Sequence, residues 1–269
     1  MLLNTIYNED NLITLSNMPD GFLDLVVTSP PYDGLRDYKG FPVYNLKRHR
    51  DTAKLLYQKL KDGGVIVWVV GDSTVDGSET GTSFRQALLF KKVGFRLHDT
   101  MIYEKLVSFG EYRFRYYPVF EYMFILSKGK PKAFNPIMDR KNNMKYIYEG
   151  KIAKRRQPDG TSKMKKMYQN GFKEIGKRNN VWRIDSGFCK SSTDTFAFEH
   201  PAIFPEKLAK DHILSWSNDG DLVYDPFMGS GTVAKACIEL KRNYIGSEIS
   251  KDYIELINKR IYHSQPGLL

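Results

Sequence analysis

Residues 26–32, VVTSPPY, combine the end of a strand with groups that can act on a substrate. Each proline removes a backbone donor and fixes φ, so a strand that enters this stretch must end there. The turn then presents two acceptors, the Ser29 side chain and the Pro30 carbonyl, beside the aromatic ring of Tyr32. By itself such a turn is more commonly a surface feature with a packed tyrosine, so its interpretation depends on its neighbours.

A second strand ending lies in residues 221–240, DLVYDPFMGSGTVAKACIEL. Gly229 and Gly231 stand where the strand gives way to a helix, and glycines there let a ligand approach the free N–H groups of the helix. The stretch does not complete the dinucleotide pattern G-x-G-x-x-G. Glu248 ends the next predicted strand, where a carboxylate can accept both hydroxyls of a ribose. The two features together predict an adenosine-type ligand.

Three segments resemble the motifs of the amino-group DNA methyltransferases that use S-adenosylmethionine. TSPPY (28–32) resembles their catalytic motif, DPFMGSGT (225–232) their cofactor loop, and EHPAIFPEKL (199–208) the motif that flanks the methionine end of the cofactor. The catalytic motif comes first, a basic insertion next and the cofactor loop last, which is the order of the β class. The resemblance covers nearly the whole chain apart from residues 130–195.

The resemblance assigns roles to individual residues. It implies that the Phe227 ring lies against the adenine of the cofactor, that Glu248 holds the ribose, and that Asp10 meets the adenine amine. The family more often has Gly-Asp where this chain has Glu9-Asp10. Phe204 and Pro205 would border the methionine moiety. The expected cofactor-binding residues are Asp10, Phe204, Pro205, Asp225, Phe227, Gly229, Ser230, Gly231, Thr232 and Glu248. The expected catalytic residues, around the target base, are Ser29, Pro30, Pro31 and Tyr32.

The implied reaction explains the residue types of the first turn. The exocyclic amine of a base is a poor nucleophile because its lone pair is conjugated into the ring. Two acceptors out of the ring plane, Ser29 and the Pro30 carbonyl, would favour a more tetrahedral nitrogen, and the prolines fix the carbonyl before the reaction. A base in a duplex must be flipped out to reach such a pocket. Stacking on Tyr32 would return about 1–3 kcal/mol of the lost stacking.

Ser-Pro-Pro-Tyr goes mostly with cytosine in this family, and Asp-Pro-Pro-Tyr with adenine. We therefore expect a site-specific DNA methyltransferase that acts on N4 of cytosine, with N6 of adenine as the alternative. More distant alternatives are an RNA methyltransferase, which the site chemistry permits, and a non-catalytic DNA-binding module. The intact motifs disfavour the non-catalytic module, and the incomplete fingerprint disfavours a nucleotide-dependent oxidoreductase.

The net charge of +10 is concentrated in one segment. Residues 128–190 hold 18 Lys and Arg against 5 Asp and Glu, a local charge of +13, which leaves −3 for the remaining chain. A solvated basic face would explain this pattern. The aromatic residues interleaved with the basic ones instead favour a surface that binds a polyanion. With the resemblance, the expected partner is double-stranded DNA, bound at a specific sequence. The expected DNA-binding residues are Lys154, Arg155, Arg156, Lys163, Lys165 and Lys166.

Outside this segment, strand and helix patterns alternate, which predicts an α/β fold with a doubly wound, mostly parallel Rossmann-like sheet. The motif order makes it circularly permuted, with an irregular basic insertion. We expect a catalytic half at residues 1–128, a target-recognition insertion at 129–197 and a cofactor half at 198–269. Asp72, after the strand VIVWVV, either lines the site or caps the loop that follows.

The remaining sequence features set limits on class and location. No signal peptide or membrane-spanning run is recognisable, and we expect a cytoplasmic protein of a restriction-modification system. The two cysteines, Cys189 and Cys237, and the five histidines lack metal-ligand spacing, so no metal is expected. The resemblance allows a homodimer, since members of the family often dimerise.

Overall fold

The computed structural model describes residues 1–31, 45–106, 114–142, 152–166, 173–185, 187, 190–200 and 203–264, with only the backbone at 152, 153, 165 and 166. Tyr32 lies outside the described residues. The chain forms two compact units. The larger unit consists of Met1–Asn135 and Asn180–Leu269, and the smaller is Pro136–Asn179.

The described strands and helices follow the predicted alternation. The strands are β1 (Thr5–Tyr7), β2 (Leu23–Thr28), β3 (Leu60–Val70), β4 (Thr74–Val75), β5 (Ser78–Glu79), β6 (Arg96–Glu104), β7 (Phe120–Ser127), β8 (Met138–Lys141), β9 (Ile152–Arg156), β10 (Ser162–Lys166), β11 (Ile175–Lys177), β12 (Val181–Arg183), β13 (Leu222–Asp225) and β14 (Asn243–Ser247). The helices are α1 (Asn11–Asn17), α2 (Leu46–Lys59), α3 (Thr82–Val93), α4 (Glu206–Trp216), α5 (Thr232–Glu239) and α6 (Lys251–Ser264).

An eight-stranded sheet forms the centre of the larger unit, in the order β1-β14-β13-β2-β3-β7-β6-β12. Strand β7 runs antiparallel to both of its neighbours, and every other pairing in this sheet is parallel. The prediction of a mostly parallel α/β sheet is therefore confirmed.

The central strands are apolar on both faces because helices cover both. Within β3, Ile66, Trp68 and Val70 belong to the core cluster that includes residues of α1, α2 and α3. The alternate residues Val67 and Val69 point the other way and are equally buried. Helices α4 and α6 both pack against α5 in a second layer. This double coverage explains the unbroken apolar run that marks β3 in the sequence.

The chain leaves the centre of the sheet in opposite directions from two adjacent strands. From β2 it proceeds to β3, and from β13 it proceeds to β14 on the other side. The carboxyl ends of β2 and β13 therefore form a topological switch point of the sheet, where a crevice is expected. Ligands of open α/β sheets bind at such a switch point. Both strand endings identified from the sequence lie there.

The smaller unit has more regular structure than the predicted irregular insertion. It contains two antiparallel pairs, β8 with β11 and β9 with β10. The described side chains of β9 and β10 are all exposed, so their sequences show no alternation of apolar and polar residues. Strand β12, also within residues 129–197, pairs with β6 in the main sheet.

No described helix is long and apolar enough to cross a membrane. The described residues also contain no group of three or more His, Cys, Asp or Glu side chains placed to hold a metal ion.

Candidate active site

The first strand ending is joined to the second by a buried hydrogen bond. Thr28, the last residue of β2, donates through Oγ1 to Asp225 Oδ1 at 2.6 Å, across the two central strands. Ser29 follows it half-buried, Pro30 is buried and Pro31 is half-buried. The turn that presents the acceptors is thus fixed to the strand that carries the cofactor loop. Thr28 is not among the residues expected to form the site.

Asp225 ends β13 in a fully buried position. Its Oδ1 also accepts from the Phe227 backbone N–H at 3.0 Å. Burial and, to a smaller extent, the nearby Glu248 carboxylate raise the pKa of Asp225, the hydrogen bonds from Thr28 and Phe227 oppose the shift, and the resulting pKa is about 7. The carboxylate therefore closes the first turn of the loop and holds β2 against β13.

The glycine-rich loop requires its glycines for two reasons. Gly229 and Gly231 have φ of 52° and 80°, in the left-handed region that favours glycine. A Cβ on Gly229 would also lie 3.1 Å from His200 Nε2, and one on Gly231 would lie 3.1 Å from a side-chain carbon of Ile257. Gly231 is the N-cap of α5, so the first N–H groups of this helix open at the loop.

Glu248 lies just beyond β14, with its carboxylate facing the glycine-rich loop. Its Oε2 accepts from the Gly229 N–H at 2.8 Å and its Oε1 from the Ser250 N–H at 2.9 Å. Burial raises the pKa of Glu248, and these backbone hydrogen bonds oppose the shift. A carboxylate has about four acceptor positions, so two further donors, such as the hydroxyls of a ribose, can be accommodated.

Asp10 reaches the same edge of the sheet at the end of β1. Its Oδ1 accepts from the Leu12 N–H at 2.9 Å as the N-cap of α1, and its Oδ2 is paired with Arg48. The segment before it is joined to Glu248, because the Glu248 N–H donates to the Tyr7 carbonyl at 3.0 Å. Asp10 therefore lies at the expected end of the sheet, where its carboxylate caps α1 and pairs with Arg48.

Five further expected residues border the crevice or its loops. The Phe227 ring is half-buried and meets the Trp68 ring edge-on, with centroids 6.2 Å apart. Phe204 is half-buried and Pro205 is the buried N-cap residue of α4. Ser230 and Thr232 are both buried, and their hydroxyl oxygens lie 3.4 Å apart.

A buried network of charges beneath the loop was not identified from the sequence. Arg260, which is 0% exposed, donates to the Ser230 carbonyl at 2.8 Å and to Thr232 Oγ1 at 2.9 Å. It is also paired with Asp194 at 2.9 Å and Glu206 at 2.7 Å. The helix α6 is thereby tied to the backbone of the cofactor loop.

Lys235 completes this network from α5. Its Nζ lies 2.8 Å from Asp194 and 3.0 Å from Glu206. Burial alone would raise the pKa of Glu206, but hydrogen bonds from Ser192 and Lys235 and the charges of Lys235 and Arg260 lower it to about 2. The one signal available in the sequence is a lysine within the apolar run TVAKACIEL. Its partners are far apart in the chain and could not be paired from sequence.

Asp72 has the capping role among its two alternatives. Its Oδ1 accepts from the Ser83 N–H at 2.9 Å and from Thr80 Oγ1 at 3.3 Å, and its Oδ2 accepts from Ser83 Oγ. The carboxylate thus holds the start of α3 and the loop before it.

The expected DNA-binding residues all fall on β9 and β10 of the smaller unit. Lys154, Arg155, Arg156 and Lys163 are exposed. Lys165 and Lys166 lie on β10, described by their backbone alone.

The donors and acceptors at the crevice fit S-adenosylmethionine. An adenosyl group brings hydroxyl and amine donors, and the described site brings buried carboxylates and a half-buried aromatic ring. The glycines of the loop allow a ligand to approach the backbone closely. The Ser29-Pro30 turn follows the adjacent strand, β2, and its two acceptors can receive hydrogen bonds from an amine.

Comparisons with known proteins agree with this chemistry. Residues 23–259 match the family of N6/N4 methyltransferases described as DNA methylase. The chain is 57% identical over 249 residues to the orphan methyltransferase M.BamHII of Bacillus amyloliquefaciens, covering 91% of each chain. It is 30% identical over 276 residues to the type II methyltransferase M.SmaI of Serratia marcescens, covering 88% of this chain and 84% of the relative.

Solved structures share the fold at lower identity. The PvuII DNA methyltransferase, described as cytosine-N4-specific, superimposes with a TM-score of 0.69 at 22% identity, over 95% of this chain and 85% of that one. The complex of M1.HpyAVI with S-adenosylmethionine has a TM-score of 0.59 at 19% identity, over 96% of this chain and 98% of that one.

Proposed function

Because this chain belongs to the N6/N4 family of DNA methylases, we propose that it transfers the methyl group to N4 of cytosine at a specific sequence in duplex DNA. Membership makes it an S-adenosylmethionine-dependent DNA methyltransferase, and its relatives are named as type II and orphan methyltransferases. The choice of cytosine and the roles of individual residues are the proposal. A homodimer has no support in these comparisons.

One observation carries the proposal: the Ser29-Pro30 turn and the cofactor loop end adjacent strands and are joined by the Thr28–Asp225 hydrogen bond. The bound cofactor supplies an electrophilic methyl group. Ser29 Oγ and the Pro30 carbonyl would accept hydrogen bonds from the two protons of the target amine. This arrangement directs the nitrogen lone pair out of the ring plane and towards the crevice between the strands.

The residues around the cofactor would hold it without taking part in bond making. Glu248 would accept the ribose hydroxyls, Phe227 would contact the adenine, and Asp10 would accept from the adenine amine. The loop of Gly229 and Gly231 would admit the ligand close to the backbone. Phe204 and Pro205 would border the methionine end, on the approach to α4.

Serine at position 29 favours cytosine over adenine through the family resemblance. A serine hydroxyl can accept from the amine and can also donate to a ring nitrogen, as N3 of cytosine requires. The fold-level likeness to the cytosine-N4-specific PvuII enzyme is consistent with this choice. Adenine N6 is the second candidate, since N1 of adenine offers the same acceptor beside its amine.

The product identifies the base directly. The purified protein is incubated with S-adenosylmethionine and unmethylated double-stranded DNA, which is then digested to nucleosides for mass spectrometry. We expect N4-methylcytosine. N6-methyladenine would replace the cytosine assignment by the adenine one, and modification of RNA in preference to DNA would overturn the substrate.

The assignment of Ser29 is tested by substitution. Ser29→Ala should lower kcat by about 10²-fold, the scale of losing one preorganised hydrogen-bonding group, with cofactor affinity retained. Ser16→Ala removes an exposed hydroxyl of α1 and is the control, for which we expect unchanged turnover. Wild-type turnover in Ser29→Ala would contradict the proposed site. Tyr32→Ala should also lose most activity if the ring stacks on the flipped base.

A further inference from the structure

The six basic residues expected to bind DNA lie on the two strands of one hairpin. Strands β9 and β10 pair antiparallel, and no other described strand joins them. The register places Arg155 opposite Lys163 and Lys154 opposite Met164. Neighbouring residues of a strand point to opposite faces, so Lys154 and Arg156 share one face while Arg155 and Lys163 share the other. Both faces of this ribbon are therefore basic.

This arrangement opposes the folding of the hairpin by itself. Residues 152–166 contain six basic residues and one acidic residue, a net charge of +5. Like charges directly opposite in a sheet are destabilising, and a two-stranded hairpin is marginally stable in water. The single acid, Asp159, accepts from Thr161 N at 2.9 Å and Thr161 Oγ1 at 2.6 Å. These hydrogen bonds place Asp159 in the turn and not on either strand.

The tip of the hairpin is narrow and well defined. The Gln157 N–H donates to the Thr161 carbonyl at 2.7 Å, and the Gly160 N–H donates to the Gln157 carbonyl at 3.1 Å. Gly160 has φ of 80°, with open space around the position of a Cβ. The turn is thus compact, and its residues beyond the strands are small or polar.

Resting on the DNA methyltransferase function proposed above, we propose that the β9–β10 hairpin enters the major groove of the target duplex. Five residues per strand give a ribbon about 17 Å long. The major groove is about 12 Å wide and admits a two-stranded ribbon. In this position each basic face meets the phosphates of one DNA strand, which relieves the repulsion within the hairpin. No groove-binding element was predicted from the sequence, because residues 129–197 indicated an irregular insertion.

Gln157 is the base-reading residue of this proposal. It is the half-exposed side chain where β9 enters the turn, at the end of the ribbon that reaches deepest into the groove. A glutamine amide can pair with both N6 and N7 of adenine in the major groove. The basic residues, by contrast, contact phosphates and carry no sequence information.

The phosphate contacts are tested by the salt dependence of DNA binding. Affinity for unmethylated duplex fragments is measured at several salt concentrations for the wild type and for the double variant Arg155→Ala/Lys163→Ala. Loss of two phosphate contacts should make the slope of log K against log salt shallower by about 1.8. The variant Arg155→Lys/Lys163→Arg, which keeps both charges, should retain the wild-type slope.

The matched control removes the same charge from the larger unit. Lys91 and Lys92 are exposed in the last turn of α3, at the end of the helix that leads away from the carboxyl edge of the sheet. Lys91→Ala/Lys92→Ala should leave the slope unchanged. Equal slopes for the hairpin variant and the wild type, or an equal reduction in the control, would overturn the hairpin as the DNA-contacting element.

The groove is tested after the methylated sequence has been mapped by sequencing modified DNA. A duplex of that sequence carrying 7-deazaadenine lacks the N7 acceptor of the major groove. Wild type should bind it about tenfold more weakly than the normal duplex, and Gln157→Ala should show no such difference. An equal penalty in the variant, no penalty in wild type, or a recognition sequence without adenine would overturn the base-reading role of Gln157.

The two proposals fail in different ways. If wild type transfers no methyl group to DNA, the proposed function fails. If wild type methylates DNA while the hairpin variants keep its affinity, salt slope and sequence preference, the function stands and the groove-binding hairpin is wrong.

Discussion

The charges beneath the cofactor loop and those on the hairpin are arranged in opposite ways. Under the loop, Arg260 and Lys235 are buried and each is paired with the carboxylates of Asp194 and Glu206. On the hairpin, Arg155 and Lys163 are exposed and face each other with like charge. The first region has its counterions within the chain, and in the proposal above the second finds them on DNA.

The proposed roles of the two regions account for this difference. A cofactor loop has to keep one geometry between turnovers, and buried charge pairs with several hydrogen bonds fix its backbone in advance. A surface that contacts phosphates must stay solvated and release counterions on binding, so internal pairing would compete with its partner. Four predictions test this contrast, ordered by expected effect.

The largest effect is expected from breaking the buried network. Arg260→Ala would leave Asp194 and Glu206 short of a cation and remove the bonds to Ser230 and Thr232. We expect a loss of about 3–5 kcal/mol in the free energy of unfolding, measured with urea. Arg155→Ala on the hairpin, which removes the same side chain type from an exposed site, should stay within about 0.5 kcal/mol of wild type. Comparable losses in the two variants would break the contrast.

Two buried carboxylates should give the larger unit opposite pH dependences. The folded pKa of Glu206, about 2, lies below its ordinary 4.5, so its stabilising contribution is present above pH 4.5 and is lost as pH falls towards 2. The folded pKa of Asp225, about 7, lies above 3.8, so its contribution is present below pH 3.8 and is lost as pH rises through 7.

Neutral variants separate these two contributions. The stability difference between wild type and Glu206→Gln should shrink between pH 5 and pH 3. The stability difference between wild type and Asp225→Asn should shift in favour of the variant as the pH rises from 5 to 7.5. Each change should be on the order of 2 kcal/mol, followed by urea denaturation. The asparagine retains Oδ1 as an acceptor for Thr28 and Phe227. Stability differences that do not change with pH would exclude Glu206 and Asp225 as the source of the pH dependence.

Alanine substitutions at two glycines test whether side-chain space is tighter in the cofactor loop than in the hairpin. Both Gly229 and Gly160 have positive φ, so alanine strains the backbone at each by about 1 kcal/mol. Only at Gly229 would a Cβ also meet a neighbour, since it would lie 3.1 Å from His200 Nε2. Gly229→Ala should therefore cost about 1 kcal/mol more than Gly160→Ala and lower the affinity for S-adenosylmethionine. Thermal unfolding and cofactor titration measure both effects, and equal behaviour would contradict a crowded loop.

The smallest effect concerns the repulsion within the hairpin. Arg155→Ala/Lys163→Ala removes a like-charged cross-strand pair and should stabilise the free protein by a few tenths of a kcal/mol, or leave it unchanged. The same variant should bind DNA more weakly. Destabilisation above about 1 kcal/mol would mean that these side chains have structural partners after all.

Much of the fold could be predicted because the local signals agreed with the tertiary structure. The strand VIVWVV, predicted from its apolar run, lies within β3, and the strand endings predicted within residues 26–32 and 221–240 follow β2 and β13. The hairpin was missed as a regular element because its described side chains are exposed on both faces. A strand without a buried face leaves no period of two in the sequence.

The residues of the candidate site also divide into those that local sequence patterns indicated and one that they did not. Ser29, Gly229, Gly231 and Glu248 could be proposed from the sequence because each follows a strand or precedes a helix, where residue type reflects local geometry. Thr28 was missed because a threonine at the end of a strand is ordinary. Its importance depends on Asp225, its hydrogen-bonding partner on the adjacent strand.

The sequence by itself determined the chemistry of this protein: a rigid acceptor turn, a glycine-rich loop and an acidic strand end are short-range patterns, complete within a few residues each. Only the tertiary structure decided which of them meet, that Arg260 and Glu206 lie beneath the loop, and that two basic runs form one ribbon. Pairings between distant segments depend on strand order and register, which are set by packing of the whole chain and leave no local signature.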